Sequence, residues 1–214
     1  MHTRRGVVTL AAGALATTAG CGFITGQESL TFTASPAAVA DSTVEESPYE
    51  ETNVTDQTVE REFSAAGQTR TVTVVNQLAQ YERQVDMGPL GSERAAVFVT
   101  YTSPQVEIAG KTFNPIEDMS EAAVLQQFES QYDGVTVGEQ VDQQSVATLG
   151  QSTSVSKFEG TASLAGSQVD VYLHATKFQH GSDFVVAVAI YPQQLSNESE
   201  QVVSLLQGLE HATE

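Results

Sequence analysis

The sequence predicts an α+β fold, a mainly antiparallel twisted sheet with helices packed on it, and three observations carry that prediction. Segments rich in Val, Thr and Tyr recur between residues 54 and 178, separated by short turns bearing Gly or Ser, as antiparallel hairpins require. Residues 183–191, Asp-Phe-Val-Val-Ala-Val-Ala-Ile-Tyr, are apolar at every position after Asp183, so that strand must be covered on both faces. Two segments, 119–132 and the one that follows Ser196, carry apolar residues at helical spacing and supply cover for it.

In chain order the first element is a leader. Thr3-Arg4-Arg5-Gly6-Val7-Val8 has the Thr-Arg-Arg-x-apolar-apolar pattern that the twin-arginine translocation pathway reads, which makes Arg4 and Arg5 the export signal. A weakly apolar run follows to Ala19. A transmembrane helix needs about 20 consecutive apolar residues, and this run is shorter and interrupted by Gly and Thr. Thr18-Ala19-Gly20-Cys21 resembles a lipobox, with Thr18 where Leu is usual, and Cys21 is the single cysteine of the chain. The expected organisation is therefore a signal peptide over 1–20, a lipidated Cys21 and tether over 21–28, and one extracellular domain over 29–214. One short lipid chain holds only marginally, at about 0.8 kcal/mol per buried methylene, so a diether-type anchor suits stable attachment.

Within the domain, Leu30, Phe32 and Ala34 alternate in a short strand over 29–34. Ser35 at a cap and Pro36 in a first turn predict a helix over 36–46, ending before Pro48. The acidic stretch that follows, Glu45 to Glu51, reads as a solvated loop. Residues 54–63 and 68–83 predict an antiparallel pair across Ser64-Ala65-Ala66-Gly67. After a loop at 87–91, residues 95–101 predict an apolar strand, with a turn at 109–111. Val124, Leu125, Phe128 and Tyr132 share one stripe of the helix over 119–132, behind Ser120. Residues 135–141 and 144–149 predict two weaker strands, and 154–164 with 168–178 a hairpin across Ala165-Gly166-Ser167. The apolar strand at 183–191 is broken by Pro192. Ser196 then caps a final helix carrying Val202, Val203, Leu205, Leu206 and Leu209.

Charge sets the solvent. The chain carries 27 acidic residues, all beyond Cys21, against nine Lys and Arg, of which two leave with the leader. The mature domain keeps a formal charge of about −20 and the three lysines Lys111, Lys157 and Lys177. At molar salt the Debye length is about 3 Å and such self-repulsion is screened, so an acidic, lysine-poor surface predicts a halophile. The same composition excludes nucleic acid as a natural partner, since no basic patch exists to neutralise phosphates.

Catalytic chemistry is not written in the motifs. Cys21 is committed to lipid, and no Gly-x-Ser-x-Gly elbow or phosphate-cradling loop occurs. His2 leaves with the leader, and His211 reads as part of a frayed C-terminus. His174 and His180, six positions apart in extended chain, lie roughly 20 Å apart at about 3.3 Å per residue, too far for a zinc pair. Glu45, Glu46, Glu50, Glu51 and Asp56 lack the spacing and turning Gly of a calcium loop. No catalytic residue, metal or cofactor is therefore assigned. Asn53-Val54-Thr55 and Asn197-Glu198-Ser199 are N-glycosylation sequons, making Asn53 and Asn197 candidate acceptors.

The element order from about residue 119 to 212, a helix, antiparallel strands, a hairpin, a central apolar strand and a terminal helix, resembles the second half of the PsbP-like α/β/α sandwich. The resemblance implies a fold and carries no functional residue. As a whole, the leader, lipobox and Leu30-Thr31-Phe32 start followed by Pro36 resemble a group of haloarchaeal twin-arginine-exported lipoproteins. The expectation is a membrane-anchored extracellular lipoprotein acting as a binding or structural module. The alternative is an extracellular enzyme whose site is assembled from dispersed carboxylates.

Overall fold

The computed structural model describes residues 30–65, 68–86, 92–108, 111–112, 114, 116–130, 134–164 and 166–213. Arg4, Arg5 and Cys21 lie outside the described residues. In order, the elements are β1 (Leu30–Thr33), β2 (Ala37–Val39), α1 (Asp41–Glu46), β3 (Glu50–Ala65), β4 (Gln68–Asp86), β5 (Ser92–Pro104), β6 (Glu107–Ile108) and β7 (Lys111–Thr112). There follow α2 (Glu121–Glu129), β8 (Val135–Thr148), β9 (Gln151–Leu164), β10 (Ser167–His180), β11 (Asp183–Pro192), α3 (Glu198–Gln207) and β12 (Leu209–His211).

Eight strands form one mixed sheet. Along its main path the order is β1-β4-β5-β11-β10-β9-β8, and β3 pairs with β4 along its whole length. Among the described residues every pairing is antiparallel except β1 with β4, where Leu30 to Thr33 run beside Val72 to Val75. β1 takes the stretch of β4 that β5 leaves, since β5 pairs only from Gln77 onwards. Two small sheets, β12 with β2 and β6 with β7, complete the pairing.

The unbroken apolar run at 183–191 becomes β11, flanked by β5 and β10 near the middle of the sheet. Its alternation divides the core. Ala187, Ala189 and Tyr191 join Tyr81, Phe98, Val146 and Val155 beneath α3, whose Val202, Leu205 and Leu206 are buried. Phe184, Val186 and Val188 face the other way, with Phe158, Val171 and Leu173 beneath Val124 and Leu125 of α2. Each such side chain contributes about 1.5–3 kcal/mol by leaving water, so both helices are fastened chiefly by their apolar stripes.

Hairpin turns follow the backbone chemistry of their residues. Leu149 and Gly150, at φ 51° and 75°, link β8 to β9 with both central residues left-handed, the twist-matched geometry for a two-residue loop. Leu149 accepts that conformation because its side chain packs on the core beneath α3. Gly181, at φ 63°, turns β10 into β11, and a Cβ there would stand 2.7 Å from Thr213. Thr213 therefore lies across this turn.

The acidic stretch over 45–51, read as a solvated loop, instead closes α1 with Glu45 and Glu46 and opens β3 with Glu50 and Glu51, and three further expectations change. The helix foreseen over 36–46 is a strand followed by a shorter helix: Ala37–Val39 is extended, because Ala37 N–H donates to Thr102 Oγ1 (3.2 Å) and Val39 N–H to the Tyr81 hydroxyl (2.8 Å). Those distant acceptors satisfy the backbone without a helix. The two weak strands over 135–149 are one strand, β8, with register shifts between Val137 and Gln140 and between Gln140 and Asp142. The final helix starts at Glu198, with Asn197 rather than Ser196 at its N-cap.

The segment before α2 is held by polar contacts. Lys177 donates to the carbonyls of Ile116 (3.0 Å), Glu117 (2.7 Å) and Met119 (2.6 Å). Asn114 donates to Pro104 O and accepts from Ile116 N–H, each at 2.9 Å. Ser120 then caps α2, its hydroxyl accepting from Ala123 N–H.

Candidate functional site

Polar chemistry inside the domain concentrates on the α3 face, in two clusters that distant segments assemble. The first is built on Glu198, the opening residue of α3, whose side chain is fully buried. One carboxylate oxygen accepts from the Tyr49 hydroxyl at 2.7 Å, and the other pairs with the Arg83 guanidinium. Tyr49 stands at the entrance of β3 and Arg83 on β4, so the carboxylate ties the helix to the β3–β4 side of the sheet. Burial, and then the neighbouring carboxylate, raise the Tyr49 hydroxyl far above its ordinary range, so it remains a proton donor. Tyr81 nearby is pushed up to about 12, mainly by burial, and bridges the Val39 N–H and the Glu51 carboxylate.

The second cluster sits at the β10–β11 turn. Asp183, first residue of β11, pairs in register with His180, last residue of β10. Its Oδ2 accepts from Ser35 N–H at 2.9 Å and meets His211 Nε2 at 3.1 Å. The other nitrogen of the His211 ring, Nδ1, stands 2.9 Å from His180 Nδ1. The ring centroids are 5.1 Å apart, consistent with two imidazoles meeting end to end. The His211 side chain is wholly buried and Asp183 nearly so, while His180 is half-buried. The order carboxylate, buried imidazole, half-buried imidazole can hold one proton and pass it along its length.

His211 was expected in a frayed terminus and is instead part of β12, where it pairs with Ala37. The partner of His180 is this residue, 31 positions away, and not His174. His174 is separately buried on β10, with its ring stacked on Tyr191 and Nε2 2.9 Å from that hydroxyl. Its Nδ1 has no hydrogen-bond partner. Burial, reinforced by the Lys157 ammonium and opposed by Asp142, lowers its pKa to about 4, so the ring is neutral near pH 7.

Surface concavities are shallow. One, of about 420 Å³, lies over Gln143, Ser145, Ser152 and Ser154 on β8 and β9. Another, of about 450 Å³, is bordered by Glu139, Glu159 and Asp170 beside Gly138 and Gly160. Among the described residues no group of three or more His, Cys, Asp and Glu side chains is arranged to hold a metal ion.

Both sequon asparagines are exposed. Asn53 follows a register shift in β3, and Asn197 adopts φ 64° without a side-chain cap bond, a left-handed conformation that Asn tolerates. Among the described residues no helix is long and apolar enough to cross a membrane.

Comparison with known families places this architecture. The model of the family described as a domain of unknown function (DUF6517) matches residues 36–210, a span that runs from the entry of β2 into β12. No curated protein matches the sequence.

Proposed function

We propose that this chain, which belongs to the DUF6517 family, is a membrane-anchored extracellular lipoprotein of a halophilic archaeon whose domain serves as a binding or structural module, not an enzyme. The observation that carries this reading is the order of the N-terminal residues: paired Arg4 and Arg5, a short apolar run, and the single cysteine, Cys21, nine positions before β1 begins at Leu30. Nine extended residues reach roughly 30 Å at about 3.3–3.6 Å each, which would keep the domain close to the lipid surface. The charge of the mature chain supports a salt-rich exterior.

The polar interior supports a module that presents a rigid surface. Glu198, Asp183 and Lys177 each use their charges to join elements of the fold. A helix on either face of a largely antiparallel sheet supports a relationship to the PsbP-like sandwich. The exposed Asn53 and Asn197 are proposed glycan acceptors.

Expression of Cys21→Ser in a haloarchaeal host tests the anchor. The variant is expected in the soluble fraction, with the unsubstituted protein in the membrane fraction. Equal membrane recovery of the two would overturn the reading.

A further inference from the structure

We infer that Asp183, His211 and His180 form an acid-operated latch that holds the C-terminal strand β12 and its partner β2 against the β10–β11 turn. The connectivity points to it. A single carboxylate oxygen of Asp183 takes the Ser35 N–H from the segment entering β2 and the His211 ring from β12. Ala37 and His211 are register partners, so Asp183 grips both strands of the small sheet at the same end. Thr213 then lies over Gly181, where any Cβ would collide with it.

Protons decide whether the grip closes. With both imidazoles neutral, His211 donates through Nε2 to Asp183 and accepts at Nδ1 from His180. With one added proton, His211 donates from both nitrogens, to Asp183 and to His180, and the chain of contacts remains whole. With two added protons, both Nδ1 atoms carry hydrogen and face each other across 2.9 Å. That contact becomes a repulsion between like charges with no acceptor. The second proton is therefore the stimulus, bound against the charge of the first, and acidification supplies it.

Among the described residues few other charges face the pair. From β11 there is Asp183 alone, and from the β2 side the uncharged Ser35 N–H. On β10, the Gln179 carboxamide is turned to Gln105 and to the Gly181 carbonyl, and Lys177 is bound to the carbonyls before α2. On β12, Glu210 is exposed to solvent. Beyond β11, the connection after β5 brings Gln105, whose N–H donates to Ser182 O.

Hydrogen–deuterium exchange on the full chain in molar KCl, corrected for the intrinsic pH dependence of exchange, provides the test. Between pH 7 and pH 5 the amides of residues 37–39 and 209–211 are expected to lose about tenfold in protection, while the centre of β11 keeps its own. His180→Gln supplies a carbonyl that accepts from a charged His211 and cannot itself become cationic, so it is expected to hold protection at pH 5. His211→Gln breaks the facing pair and is expected to be equally loose at both values. Unchanged protection in the natural chain, or the same acid loosening in His180→Gln, would overturn the latch, the second by placing the acid response elsewhere.

Discussion

Two buried carboxylates on one face of this sheet are paired in opposite ways. Glu198 meets a guanidinium that stays charged at every pH the protein meets, and a hydroxyl that burial keeps protonated. Asp183 meets an imidazole and a backbone N–H, and its imidazole leans on a second one. Both join segments more than a hundred positions apart in sequence, but only the second has an imidazole, a group that exists in both neutral and charged forms, as its partner. The first is a permanent tie at the start of α3. The second is conditional, and it holds β12.

Removing Glu198 should give the largest effect. Truncating one member of a buried ion pair costs about 3–5 kcal/mol, because the remaining charge loses its partner. Arg83 is partly exposed and can regain water, which places Glu198→Ala toward the lower end of that range. Glu198→Gln keeps an acceptor for Tyr49 and is expected to lose less. Chemical denaturation at pH 6 and pH 8 checks the comparison: the loss for Glu198→Ala should be the same at both, whereas that for Asp183→Asn should differ. Equal pH dependence of the two would erase the distinction.

Much of the scaffold was legible in the sequence for local reasons. β11 announced itself because nine consecutive positions from Asp183 to Tyr191 offer almost no polar face, and α2 and α3 showed stripes at helical spacing. The hairpin at Gly166 and the turn at Gly181 were marked by residues suited to positive φ. The stretch over 36–39 misled because Ser35-Pro36 is locally a good helix start. Thr102 and Tyr81, from β5 and β4, supply the hydrogen-bond acceptors that keep it extended. The two clusters were invisible for a related reason, since Tyr49 and Glu198 are 149 positions apart and Ser35 and Asp183 148. The available signals were a carboxylate opening an otherwise apolar strand at Asp183, and a His two positions beyond the last core residue of the chain, Leu209.

His174 sharpens the contrast, as a buried titratable group with no carboxylate bonded to it. Its folded pKa, about 4, lies below the 6.5 of an unfolded histidine. The unfolded chain therefore binds a proton first as pH falls. The stability that His174 confers is complete above about pH 6.5 and is lost progressively down to about pH 4, a decline of roughly 3 kcal/mol. His174→Phe, which retains the stacking on Tyr191, should flatten the acid limb of global stability across that window. It should leave the local loosening of β12 unchanged, because the latch titrates through other rings. A variant whose global acid limb matches that of the natural chain would show that His174 is protonated in the fold.

Lys177 offers the smallest and most local effect, and asks whether a partly buried charge must have an opposite charge to be structural. Its ammonium is satisfied by three backbone carbonyls on the α2 face, at 2.6–3.0 Å. Hydrogen bonds to a charged group contribute about 1.5–3 kcal/mol when buried, and partial exposure of these reduces that. Lys177→Met keeps the aliphatic stem and removes every donor, so a loss of about 1–2 kcal/mol is expected, with faster amide exchange confined to residues 116–125. Lys177→Arg keeps the charge but presents a planar fork to three carbonyls gathered about one point, and should recover only part of the loss. Full recovery would mean that charge near α2 is sufficient. Partial recovery would mean that the compact ammonium is matched to its carbonyls by shape, which neither carboxylate cluster requires of its partner.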